Sequence, residues 1–186
     1  MSKCDRCEIR KATMTITDEE QEKLCFKCYN NMASKELGIN LEDMPEEFSV
    51  YDHSGTRRNF TNQQRLYPNG IFLEAVEDIE FGYQFAVHGE LDCNQTALFQ
   101  QLVDKVKSGV SRQYIKQGVF PSGRTYHTIT EDEVVGYVDH DEIRQPLPMI
   151  VIDGKPFTWE QLGEMVMSKE GAQIQIKFFD LTEEVE

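Results

Sequence analysis

Two C-x2-C pairs constrain this chain before anything else in it: Cys4 with Cys7, and Cys25 with Cys28, with seventeen residues between the pairs. Two residues between paired cysteines let one tight turn aim both sulfurs at a single point, and four thiolates at about 2.3 Å form the tetrahedral shell that Zn²⁺ favours. The spacing therefore predicts one zinc ion held by Cys4, Cys7, Cys25 and Cys28. With all four positions taken by protein sulfur, none is open for water, which makes the predicted site structural rather than catalytic.

A metal clamp at one end sets the expected domain organisation. Residues 1–44 are too few to bury much apolar surface and need the metal as a staple, whereas residues 45–186 can support a core of their own. The expected boundary lies near Asp43-Met44-Pro45. Charge divides unevenly across it. The chain has 19 basic and 33 acidic side chains, a net of −14; residues 1–44 hold 7 and 9, and residues 45–186 hold 12 and 24. A body at −12 repels a phosphate backbone, so nucleic-acid binding is expected only through residues 1–44. Even there Lys3, Arg6, Arg10, Lys11, Lys23 and Lys27 lie close in sequence to a doubly negative Zn(Cys)4 centre, and offsetting that charge is their first expected task.

Five cysteines, four of them in metal spacing, point to a reducing compartment rather than a disulfide scaffold. The chain runs from Met1 directly into Cys4, leaving no room for a signal peptide, and no apolar run approaches the ~20 residues a bilayer requires. The expectation is a soluble, cytoplasmic protein with no membrane partner.

Between the cysteine pairs, Ala12 to Thr17 alternates small or β-branched residues with polar ones, and Asp18-Glu19-Glu20 supplies a polar turn; this reads as a β-hairpin. After Cys28, residues 29–37 are good helix formers and stop at Gly38. Knuckle, hairpin, and a knuckle opening a helix is the layout of a treble clef, with a zinc ribbon as the simpler alternative. On Cys4-x2-Cys7, Arg10-Lys11-Ala12-Thr13, Thr17 and Leu24-Cys25-x2-Cys28, the chain resembles the N-terminal zinc module of McsA-type bacterial proteins, partners of a protein-arginine kinase. The likeness covers about thirty residues and places Lys11 where that family has a proline before the alanine. It implies zinc binding far more than a kinase connection.

The rest reads as α+β, a mixed and largely antiparallel body with helices on one side. Strands are expected at residues 48–52, 58–67, 71–76 and 81–88, joined by short turns into a meander. A helix is expected over residues 93–107, ending near Gly109, with Leu98, Phe99, Leu102, Val103 and Val106 on its buried face and Asp92 with Gln95 as a capping box. A weaker helical pattern covers residues 111–117, and strands follow at 124–130 and 134–138. Near the end, Met149 to Ile152 and Lys155 to Phe157 flank an Asp153-Gly154 turn, Thr158 and Gln161 cap a helix with Trp159, Leu162, Met165 and Val166 on one face, and residues 172–178 alternate as a half-buried strand. This region resembles a bacterial domain of unknown function, which implies a fold and no activity.

Outside the cysteine pairs, candidate chemistry is thin. His53, His88, His127 and His140 never share a short motif, and surface or structural roles are expected for them. Cys93 sits at an expected helix N-terminus, which favours a thiolate, but Asp92 and Glu90 oppose one, so a small packed residue is the plainer reading. Residues 118–124 lack the Lys and Ser/Thr of a phosphate loop and read as a turn. Trp159 reads as the anchor of its helix. No catalytic residue is assigned. The expected role is a non-enzymatic adaptor or regulator that binds another protein, with a nucleic-acid-associated factor as the alternative and an enzyme as the last.

Overall fold

The computed structural model describes residues 2–17, 21–140 and 147–185. Among the described residues it is a mixed α+β protein with three α-helices and several antiparallel sheets, as the sequence pattern implies. Strands β1 (Met14–Thr17) and β2 (Gln21–Leu24) form the first hairpin, with Ile16 opposite Glu22 and Met14 opposite Leu24. Its expected turn at residues 18–20 lies outside the described residues. Helix α1 (Phe26–Leu37) follows, and Gly38 ends it in the left-handed region at φ 67°, where a side chain would be strained.

Next comes the expected meander. Strands β3 (Glu47–Tyr51), β4 (Arg57–Tyr67), β5 (Gly70–Glu77) and β6 (Gln84–Gly89) pair in sequence order as one antiparallel sheet. Period-two alternation sends Phe60, Leu66, Ile71, Leu73, Ala75 and Val87 into the core. Helix α2 (Gln95–Ser111) lies across β3, β5 and β6 and buries Leu98, Leu102, Val106 and Val110, one face at near-helical spacing.

Two details of α2 differ from expectation. Asn94, not Asp92, is the N-cap, and its side chain accepts from the Ala97 N–H at 2.9 Å. Gln95 is instead buried, accepting from the Glu42 N–H at 2.9 Å and donating to the Asn40 carbonyl at 2.8 Å, which ties the segment after α1 to the helix. The helix also continues through Gly109. A Cβ there would stand 2.3 Å from the Phe85 ring, so the glycine serves close packing rather than termination.

The remaining elements gather around a second apolar cluster. Strands β7 (Ile115–Val119) and β8 (Thr125–Ile129) pair with each other. A second sheet has the order β11-β10-β9, from β9 (Tyr137–Asp139), β10 (Met149–Ile152) and β11 (Lys155–Phe157). The Asp153-Gly154 turn has φ of 53° and 67°, and Pro156 lies on an edge strand as expected. Helix α3 (Trp159–Val166) carries the full Thr158–Gln161 capping box and contributes Leu162 and Met165 to a cluster with Ile115, Ile152 and Phe157.

Residues 111–117 do not form a second helix. The Asp153 carboxylate accepts from the N–H groups of Tyr114 and Ile115 at 3.0 and 2.8 Å, and Ile115 begins β7. Residues 172–178 form no strand; the whole of 171–180 is exposed. Trp159 is 41% exposed and takes no place in the apolar cluster, so it does not anchor its helix. Among the described residues, no helix is long and apolar enough to cross a membrane.

Candidate metal centre

The four paired cysteines converge. Their Sγ atoms all lie within 4.8 Å of one another, and Cys7 Sγ is 3.9 Å from Cys25 Sγ. Sulfurs at about 2.3 Å from a tetrahedral metal stand about 3.8 Å apart, so the donor set fits a four-coordinate ion. Cys4 and Cys25 are buried, and Cys7 and Cys28 are half-buried.

Local backbone chemistry builds each half. In the first knuckle, Cys4 N–H donates to the Arg10 carbonyl and Glu8 N–H to the Cys4 carbonyl, both at 2.9 Å, while Glu8 takes a φ of 55° to close the turn. The Asp5 N–H donates to the Lys23 carbonyl at 2.8 Å and the Asp5 carboxylate accepts from the Lys23 N–H at 2.7 Å, fixing this knuckle to β2. In the second, Cys25 is the N-cap of α1 but makes no side-chain cap bond, which leaves its sulfur for the cluster. Cys28 stands in the first helical turn, where the helix dipole favours negative charge.

The thiols are electrostatically unequal. Burial pushes Cys4 up, but the backbone N–H groups of Cys7, Cys25 and Arg6 outweigh it and bring the thiol down to about 6. Backbone N–H groups of Arg10 and Ile9 lower Cys7 as well. Burial and the neighbouring sulfurs push Cys28 up to about 12. Four thiolates in so small a space would repel one another, and a cation at their centre would let all four ionise.

Of the six basic residues near the cluster, Arg6 is committed: Nε and one terminal nitrogen reach the two Glu22 carboxylate oxygens at 2.7 Å each. Cys4 and Cys28 also raise its affinity for its proton. Lys3, Arg10, Lys11, Lys23 and Lys27 are exposed. A shallow concavity of about 360 Å³ adjoins the cluster, lined by Arg6, Cys28, Asn31, Met32, Lys35 and Glu36.

The other sequence candidates are not brought together. His88 Nε2 lies 3.0 Å from the Asn69 carbonyl oxygen and its ring packs on Phe72; His127 packs edge-on to Phe157. His53 N–H donates to the Val110 carbonyl, and His140 N–H bonds the Asp139 carboxylate. Cys93 precedes the α2 cap and packs against Gly89 and the core, where burial and then Asp92 push its thiol up. Among the described residues, the cysteine quartet is the one group of three or more such side chains placed to share a metal.

Sequence reasoning missed a buried ionic group at the end of the four-stranded sheet. Arg58 donates to Asp52 at 2.8 Å and to Glu77 at 3.1 Å, and the Tyr83 ring lies beneath its guanidinium. Asp52 also accepts from the backbone of Ser54 and Thr56. Asp52 and Arg58 flank one hairpin turn, but Arg58 and Glu77 are 19 residues apart, and only strand register brings those two onto one face.

No curated protein and no solved structure matches the chain. Three family models match it in tandem, over residues 3–40, 42–111 and 114–183, each described as a domain of unknown function (DUF7685, DUF7686 and DUF7713 respectively). These matches carry no link to McsA. Their seams fall after α1 and at the end of α2.

Proposed function

We propose that Cys4, Cys7, Cys25 and Cys28 hold one structural Zn²⁺, and that the chain is a cytosolic, non-enzymatic adaptor whose zinc module presents a surface to another protein. The convergence of four sulfurs within 4.8 Å carries the reading, because four thiolates complete a tetrahedral shell and confine the metal to holding the knuckles and α1 in place. The concavity beside it, lined by Met32 and Lys35, is the surface so held; with Arg6 already bound to Glu22, Lys35 is the cation left to meet a partner's carboxylate and Met32 the apolar contact. The likeness of residues 4–28 to the McsA zinc module supports the zinc ion, and the uneven charge supports a division into residues 1–44 as the interaction module and residues 45–186 as the acidic body.

Elemental analysis of the purified chain should find one zinc per molecule, and cobalt substitution should give the intense absorption of a tetrahedral four-thiolate centre. A partner isolated with the intact protein should be lost on Lys35→Glu while zinc is retained. Absence of stoichiometric metal would sink the zinc reading.

The exposed Lys3, Arg10, Lys11, Lys23 and Lys27 favour a second reading, in which the module contacts nucleic acid. It requires binding that weakens with salt and whose salt slope becomes shallower in Arg10→Glu/Lys11→Glu.

A further inference from the structure

Beyond α3 and a short 3-10 turn (Met167–Lys169), residues 171–180 cross the surface with every residue exposed. Ile174 is 79%, Ile176 62% and Phe178 77% exposed. The span is held at both ends. Ala172 N–H donates to the Lys169 carbonyl, and past the other end Lys105 Nζ donates to the carbonyls of Leu181 and Glu183 at 3.1 and 2.6 Å. Between them, residues 173–179 make no backbone hydrogen bond to any described residue. The sequence nevertheless has strand periodicity, with Ala172, Ile174, Ile176 and Phe178 for one face and Gln173, Gln175 and Lys177 for the other.

We propose that residues 172–178 pair antiparallel with the same residues of a second copy, about a two-fold axis through Gln175. A two-fold interface must be self-complementary, and this register is. It sets Ile174 against Ile176, Gln173 against Lys177 and Ala172 against Phe178, so apolar residues meet apolar ones and no like charges face each other. Centring on Ile176 instead would place Gln173 against Phe179. Residues 171–179 contain one cation, Lys177, and no carboxylate, so two copies each at −14 meet through a stretch that does not repel. Two paired strands make only a two-stranded ribbon, which leaves the apolar face of Ile174, Ile176 and Phe178 partly open to water and is marginal by itself, so the dimer forms reversibly as concentration rises.

Sedimentation equilibrium of the zinc-loaded full chain, from about 1 to about 200 μM, should show the mass climbing from 21.6 kDa toward twice that value. Ile176→Lys, at an exposed position, should stay monomeric with an unchanged circular dichroism spectrum. The register has its own readout. In this pairing only residue 175 faces itself, so Gln175→Cys should form a disulfide-linked dimer under mild oxidation, whereas Gln173→Cys should not unless mixed with Lys177→Cys. A single species of monomer mass at every concentration, without cross-linking at residue 175, overturns the proposal. So does protection of the 172–178 amides from hydrogen exchange in the monomer, which would show that the segment pairs within its own chain.

Discussion

Asn30 in α1 stands in for a missing strand beside Leu66. Strand β3 pairs with β4 only as far as Thr61, and the Asn62 N–H still reaches the Glu46 carbonyl at 2.7 Å. Past that point the Asn30 amide takes over, donating to the Gln64 carbonyl at 2.8 Å and accepting from the Leu66 N–H at 3.1 Å. One side chain thus satisfies both backbone groups of a bare edge, and joins the helix that bears Cys28 to the central sheet.

Replacing it should be costly. Asn30→Ala strips two buried backbone groups of their partners, and urea unfolding should register a loss of about 2–4 kcal/mol. Asn30→Asp keeps the acceptor for Leu66 but turns a carboxylate oxygen toward the Gln64 carbonyl, so it should not restore stability.

Metal removal should be felt through the same contact. With the proposed metal as the module's staple, chelation should unfold the knuckles and loosen α1. Hydrogen exchange should then quicken at the Leu66 amide, which Asn30 protects, before it quickens at Leu73, which pairs inside the sheet. Equal protection at Leu66 with and without metal would show that α1 holds its place unaided.

Acid should act on Asp52. Burial raises its pKa, but Ser54, Arg58 and Thr56 outweigh that and hold the carboxyl well below the ordinary carboxylate range. A depressed folded value contributes stability that is complete above the unfolded pKa of about 3.9 and is lost as pH falls below it. Stability should therefore be insensitive to this group from pH 7 to about 5 and fall below about 4. Asp52→Asn should be less stable at neutral pH, by about 1–3 kcal/mol, with a flatter acid limb.

Gly109→Ala offers a test in which propensity and packing oppose each other. Alanine favours a helix interior by about 1 kcal/mol over glycine. Its Cβ, however, would fall 2.3 Å from the Phe85 ring. Overpacking of this kind costs about 1–3 kcal/mol, so thermal unfolding should show a net loss. The same alanine should be better tolerated in a Phe85→Leu background.

What sequence reveals here follows the range of the interaction. The cysteine quartet, the first hairpin, the meander, the Asp153-Gly154 hairpin and the apolar face of α2 depend on spacing along the chain, and all were legible. Residues 111–117 were not, because the competition was settled by Asp153, whose carboxylate captures the Tyr114 and Ile115 amides from 39 and 38 residues away. Gln95 misled for a similar reason: its side chain serves Asn40 and Glu42 rather than a cap. The Arg58 group depends on register between strands, and the edge-filling role of Asn30 on where β3 stops; neither leaves a periodic trace. In residues 172–178 the pattern is present, but no described residue pairs with it.

Lys105 gives that segment a mechanical meaning. Its ammonium grips the Ala86 carbonyl of β6 as well as those of Leu181 and Glu183, so α2, the sheet and the chain's end share one fastening. Residues 171–180 are accordingly a span between two piers and not a loose tail. Tension applied to the middle of that span would travel to Lys105, and through it to the helix that lies across the sheet.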